Sequence, residues 1–382
     1  MARKNVRTLL WLLPVVTTAS LAAGCGSSSG GGASSKDTSA IASTAQQKVK
    51  AGQNGTSTWT GPASSPKPEA GKKIVVVQVN GAQDNQSAGA VAAGKAMGWD
   101  VEVITTQSDQ AGMTSGVSSA INKRPDGVIL LSAPVSILGA QLKQAAAAHI
   151  PVIEIQSGNS VPAGGYPDAK SGIFSDVSPD LRQVGALDAW AAIDHTKGKP
   201  VAGIITDPNF QSIQQRADGF TKVMKSCDSC QLLKTRVLPV AKVATDARST
   251  VDTFLQSNPN VNVVLSTYDG QGAFIVPAID ALGKGKSVAV VGADGEPQSL
   301  GWIGSDHVQI ADVVFDQTFL GWAAIDQMNR ALHGDKPASE WQPGGNGIGI
   351  KLITKSNVPA GGKAITNTFD YQSKLKQLWG AS

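Results

Sequence analysis

The chain has 382 residues, 41% hydrophobic and 16% charged, with a formal charge of +4. That composition suits a folded core and excludes the charge excess of a disordered or nucleic-acid-binding chain. Arg3, Lys4 and Arg7 fall within the first 24 residues, which hold no acid; residues 25–382 therefore carry 30 Lys and Arg against 29 Asp and Glu, and present no basic face to DNA or an anionic membrane.

Residues 1–24 order a basic start, the apolar run LLWLLPVV and small residues in the manner of a secretory signal. The run is too short and too soon interrupted to span a bilayer. LAAGC, ending at Cys25, resembles the lipobox of bacterial lipoproteins, which implies cleavage before Cys25 and a diacylglyceryl anchor on its thiol. An ordinary signal followed by a stray cysteine is the alternative. Residues 25–72 are rich in Ser, Gly, Ala and Thr and are expected to form a flexible tether. Within it Trp59, beside Gly61 and Pro62, either docks on the fold as an extended strap or stays exposed.

From Lys73 short apolar strands alternate with helical stretches: IVVVQV (74–79) before SAGAVAAGKAMG (87–98), VEVITT (101–106) before GMTSGVSSAINK, GVILL (127–131) before ILGAQLKQAAAA, then PVIEIQ (151–156). A second series follows residue 176. A helix capped by Ser178 precedes the strands AGIIT (202–206), NVVLST (262–267) and SVAVVGAD (287–294). Near-continuous Val/Ile runs suit parallel strands covered on both faces, so the fold class is α/β. About 310 ordered residues exceed one core, and two Rossmann-like lobes are expected. Neither carries G-x-G-x-x-G after its first strand or a G-x-x-x-x-G-K-[ST] loop, which removes the main support for nucleotide binding. No cofactor is expected.

In open parallel sheets ligands lie beyond the carboxyl ends of the strands. Asp294 ends such a strand between Ala293 and Gly295, and supplies an acceptor for hydroxyl or ammonium protons. The alternative is an aspartate that merely caps the segment GEPQSLGW.

IVVV, AMGWDVEVI, RPDGVILL, AAAAHIPVIEI, QQRADGF, NPNVNVVLSTYD, VVGADGEP and GWAAIDQMNRALHGDKP occur in an order that resembles the ribose-binding type of periplasmic binding protein, the substrate-binding subunit of an ABC importer. The resemblance implies the type 1 periplasmic binding protein fold: two lobes with parallel sheets, joined by a three-segment hinge and closing on one small polar molecule. The implied lobes are residues 73–175 with 316–345 and residues 176–315 with 346–382. Hinge candidates are the crossings near Ser175 and Phe315 and the run PGGNGIGI (343–350).

The resemblance places Arg216 and Asp294 as donor fork and acceptor for sugar hydroxyls. Elsewhere the chain departs from the ribose pattern, with Gln156 and Ser157 for an Asp-Arg pair, Tyr268 before Asp269 for an asparagine before an acid, Phe315 for a glutamine, and Gln83, Asp84 and Asn85 where first-loop aromatics stand. Gln83, Asp84, Asn85, Gln156, Arg216, Tyr268, Asp269, Asp294 and Phe315 are the candidate ligand-binding residues, a mixture that suits a neutral polyhydroxylated ligand. Arg216 as a solvated surface residue is the plain alternative. The implied partners are an ABC permease with its ATPase and, through Cys25, the outer face of the cell membrane, with the protein itself a monomer.

Cys227 and Cys230 form C-x-x-C with no second ligand pair for zinc, and in an exported chain a local disulfide is expected. His149, His195, His307 and His333 match no metal spacing, and no G-x-S-x-G elbow appears, so no enzyme is expected. A receptor presenting its ligand to a membrane sensor would share the fold. A lac-repressor-type regulator would need a helix-turn-helix where this chain has an export signal.

Overall fold

The computed structural model describes residues 35–55, 58–79, 83–158, 172–362 and 369–381. Cys25 and the expected signal lie outside them. Among the described residues no helix is long and apolar enough to cross a membrane.

Five parallel strands make the first sheet: β1 (Lys73–Val79), β2 (Asp100–Thr106), β3 (Gly127–Leu131), β4 (Val152–Ile155) and β5 (Ser175–Val177), in the order β2-β1-β3-β4-β5. Every residue of β3 and β4 is buried, as expected of strands covered on both faces. The second sheet takes β6 (Val201–Thr206), β7 (Gln231–Leu232), β8 (Arg236–Val237), β9 (Val263–Ser266), β10 (Ala289–Asp294), β11 (Gln309–Val314) and β12 (Lys351–Thr354). Its order is β12-β11-β10-β9-β6-β7, with β8 also on β6. Its strands are parallel except β12, which runs antiparallel to β11 at the edge. The chain thus forms two Rossmann-like α/β lobes, each with a strand-order reversal beside its first strand, where ligand crevices open.

Helices α2 (Asp84–Ala96), α3 (Gln110–Asn122), α4 (Gly139–Ala147) and the late α10 (Gln317–Leu332) cover the first sheet; α5 (Leu181–His195), α6 (Gln211–Lys225), α7 (Val243–Ser257), α8 (Asp269–Ala281) and α9 (Pro297–Gly304) cover the second. Two helix pairs cross with their backbones nearly touching. A Cβ on Gly89 of α2 would lie 2.1 Å from the Thr318 carbonyl oxygen of α10, and one on Gly185 of α5 would lie 1.8 Å from that of Arg216 in α6. Glycine is required at both crossings, and each sets the depth of a helix that carries a polar side chain toward the cleft.

The segment expected to be a tether differs. Residues Ser35–Gly52 form helix α1, packed on α5 and β12. The stripe Ile41, Ala45, Val49 explains it: spacing of four puts these residues on one face, and Ala45 and Val49 are buried. Small polar composition concealed a narrow apolar seam.

Beyond α1 the chain forms the strap. Trp59 packs edge-on against Trp341 at 5.5 Å between centroids, with Phe319 and Phe369 also around it. Backbone carbonyls then tie the strap down: Pro66 accepts from Asn329 Nδ2 at 2.6 Å, Glu69 from Trp99 Nε1 at 2.7 Å, and Ser64 from Arg330. Beneath lies Asp326, fully buried. Its carboxylate accepts from the indoles of Trp341 and Trp379, each at 2.9 Å, and from Arg330 Nε at 3.0 Å. Trp379 belongs to α11 (Tyr371–Trp379), so one carboxylate joins α10, the chain leading toward β12, and the C-terminal helix. Cys227 and Cys230, just after α6, are disulfide-bonded.

Candidate functional site

A cavity of about 510 Å³ lies where strands of both sheets end. Val79, Ser132 and Gln156 reach it from the ends of β1, β3 and β4; Tyr268 and Asp294 reach it from those of β9 and β10. Three of these five hold positive backbone angles, with φ of 48° at Ser132, 55° at Gln156 and 128° at Asp294. A non-glycine residue held there costs about 1 kcal/mol or more, and such residues gather where a ligand is clamped.

The polar side chains form one connected network. Arg216, only 2% exposed, donates through one terminal nitrogen to Asp294 Oδ1 at 2.6 Å and through the other to the Thr267 carbonyl at 2.8 Å. Gln156 Nε2 donates to the same Asp294 oxygen at 3.0 Å. The Oε1 of Gln156 accepts from Gln86 Nε2 at 2.7 Å, which also donates to Gln317 Oε1 at 2.6 Å. Gln317 Nε2 returns to the Asp294 carbonyl at 3.3 Å. Amides of the first lobe and an ion pair of the second therefore meet across the cavity.

Burial alone would depress the Arg216 guanidinium, but Asp294, with Asp188 and Asp269 behind it, raises it above its ordinary value. Asp188 is fully buried beneath, and burial pushes it well above the usual carboxylate range despite Arg216. Asp269 and Asp312 lie against one another. Burial and the neighbouring Asp269 push Asp312 far up, while burial pushes Asp269 to about 6. Their oxygens hold the loop after β10, Asp312 accepting from Gly295 N–H at 3.0 Å and Asp269 from Glu296 N–H at 2.8 Å. Burial, then Asp294, Asp269 and Asp84, push Glu296 to about 7.

Of the residues singled out in the sequence, Gln83, Gln156, Arg216, Tyr268, Asp269 and Asp294 line the cavity. Two of these are braces. Gln83 accepts from Val79 N–H at 2.9 Å and donates to the Leu131 carbonyl at 3.3 Å, joining the ends of β1 and β3, and Asp269 holds the loop just described. Asp84, Asn85 and Phe315 do not line it. Asp84 and Asn85 are exposed in the first turn of α2, where helical rotation turns them outward and leaves Gln83, Gln86 and Ser87 buried. Phe315 is buried in the core, its ring 5.9 Å from the Arg216 guanidinium carbon, and supports that group as a cation–π partner. Arg216 as a solvated surface residue is excluded by its burial.

Sequence reasoning missed Gln86, Gln317, Glu296 and Phe210. Gln86 was legible, since it lies three residues after Gln83 on the same helical face. Gln317 and Phe210 flank or open helices, and composition gives no sign of which way such residues face. Among the described residues no group of His, Cys, Asp or Glu is placed to hold a metal ion.

Residues 74–336 match the family of the periplasmic binding protein domain. The chain belongs to that family. No curated protein matches it. Among solved structures it is similar to an ABC transporter solute binding protein from Agrobacterium vitis bound with alpha-D-tagatopyranose, at 20% identity and TM-score 0.67 over 76% of this chain and 96% of that one. A glucose-galactose binding protein from Geobacillus stearothermophilus is 20% identical with TM-score 0.66, over 76% and 100% of the two chains. An ABC transporter solute binding protein from Mycobacterium smegmatis with bound glycerol is 20% identical with TM-score 0.65, over 78% and 100%.

Proposed function

We propose that this protein is an extracytoplasmic solute-binding protein that captures a sugar or sugar-like polyol by closure of its two lobes and delivers it to an ABC permease, with no chemistry of its own. One observation carries the reading: the cavity between the sheets is lined by an amide–carboxylate–guanidinium network with Phe210 and Tyr268 beside it. Planar amides and carboxylates satisfy paired hydroxyls, and aromatic faces take the C–H surface of a ring. Family membership and the ligands named for the A. vitis, G. stearothermophilus and M. smegmatis proteins support it.

The moving bodies are the first sheet, β1 to β5, with α2, α3, α4 and α10, and the second sheet with α5 to α9, α11 lying back on α10. Hinge rotation at the crossings between them is the closure typical of binding proteins. Export, cleavage before Cys25 and lipid anchoring through it complete the reading. A thermal-shift screen across pentoses, hexoses, polyols, amino acids and nucleosides tests it, because a bound solute raises the melting point by mass action. Stabilisation by hydroxylated solutes is expected; stabilisation confined to the other classes contradicts the reading.

A further inference from the structure

We infer that the solute held in this cleft carries a positively charged amino group, and that Glu296 receives it. The inference rests on the binding reading above and narrows its ligand class to amino sugars or amino polyols. It begins from charge. Four charged side chains line the cavity, Arg216, Asp269, Asp294 and Glu296, three acids against one base. The base is already matched, since Arg216 is paired with Asp294 at 2.6 Å. Asp269 is engaged by backbone, accepting from the Glu296 N–H at 2.8 Å. Glu296 has no such partner. It enters none of the ion pairs among the described residues.

Helix capping does not account for it either. Glu296 stands at the N-cap of α9, yet its side chain makes no capping hydrogen bond. Its backbone is fixed instead, through the N–H bound to Asp269 and through Pro297 behind it, at a position that lines the cavity.

An unmatched acceptor on a second lining residue also calls for a donor. Gln86, 3% exposed and lining the cavity, donates twice through Nε2 while its Oε1 has no donor. A buried acceptor left unmatched is costly and asks for a donor from the ligand. A hydroxyl answers with one donor but brings acceptor lone pairs of its own; an ammonium brings three donors and no acceptor. Burial, and then three neighbouring carboxylates, push Glu296 up to about 7, and a cation seated beside it would offset that cost. A metal ion is not the cation, since no suitable ligand group exists among the described residues.

Calorimetric titration near neutral pH with matched probes tests this: glucose and glucosamine, galactose and galactosamine, glucitol and glucamine, against the wild type and Glu296→Gln. At least one amine is expected to bind about tenfold tighter than its hydroxyl parent, the effect of one charge-assisted hydrogen bond, and Glu296→Gln is expected to collapse that ratio. Circular-dichroism melting of the variant shows that it is folded. Parents that bind as well as their amines, or a preference that survives Glu296→Gln, overturn the inference and leave the polyol reading standing. No binding by any of the six probes overturns the inference, and the polyol reading then stands or falls with the thermal-shift screen.

Discussion

Gln156 at the end of β4 donates to Asp294 at the end of β10 across 3.0 Å, so a first-lobe amide touches a second-lobe carboxylate. The bond both holds the lobes together and orients the acceptor. Gln156→Ala is expected to widen the ligand-free molecule, read as a larger radius of gyration in small-angle scattering, and to weaken solute binding about tenfold. An unchanged radius and affinity would show that the contact holds nothing.

Asp326 accepts from three side chains while fully buried. Asp326→Ala leaves two indole N–H groups and a guanidinium without their acceptor and is expected to destabilise the protein by about 3 kcal/mol. Urea denaturation measures it; a loss below about 1 kcal/mol would mean that water replaces the carboxylate.

Stability should fall as the solution becomes more alkaline. Burial raises Asp176 to about 6, Asp269 to about 6 and Glu296 to about 7, from ordinary values of 3.8 and 4.5. Between those ordinary values and 7 the folded protein keeps protons that the unfolded chain has released, so each step up in pH through that window favours unfolding. The melting temperature of ligand-free protein is expected to be higher near pH 5 than near pH 8. A flat or rising profile contradicts the burial of these acids.

Trp59→Ala removes the ring seated on Trp341, Phe319 and Phe369. Because the ring is only half-buried, the expected cost is about 2 kcal/mol, below that of a core tryptophan. Limited proteolysis should then cut the strap around residues 58–72 faster than in the wild type. Equal rates would mean that the carbonyl contacts to Asn329, Arg330 and Trp99 suffice.

The strands were legible because Val/Ile runs between turns have few alternatives, and Asp294 was legible because strand ends are where parallel sheets bind ligands. Direction was harder. Asp84 and Asn85 share a helical turn with Gln86, and the packing of α2 against α10 at Gly89 brings the Gln83–Gln86 face to the cavity and leaves the other two outside. Phe315 was placed in the cavity by resemblance, but its ring supports Arg216 within the core. Residues 35–52 read as tether because a seam of Ile41, Ala45 and Val49 is too narrow to stand out among serines and alanines. The antiparallel edge strand β12 left no mark at all, since four residues after a glycine-rich run match no strand template.

Calorimetric titration of the wild type and Asp294→Ala, with the solute that most raises the melting point, tests the central claim most directly: a polar network at the ends of two sheets grips a hydroxyl-bearing solute. Loss of the Asp294 acceptor should cost about 2 kcal/mol, more than a tenfold rise in Kd, with the variant still folded by circular dichroism. A Kd unchanged by the substitution would remove Asp294 from the site and contradict the claim.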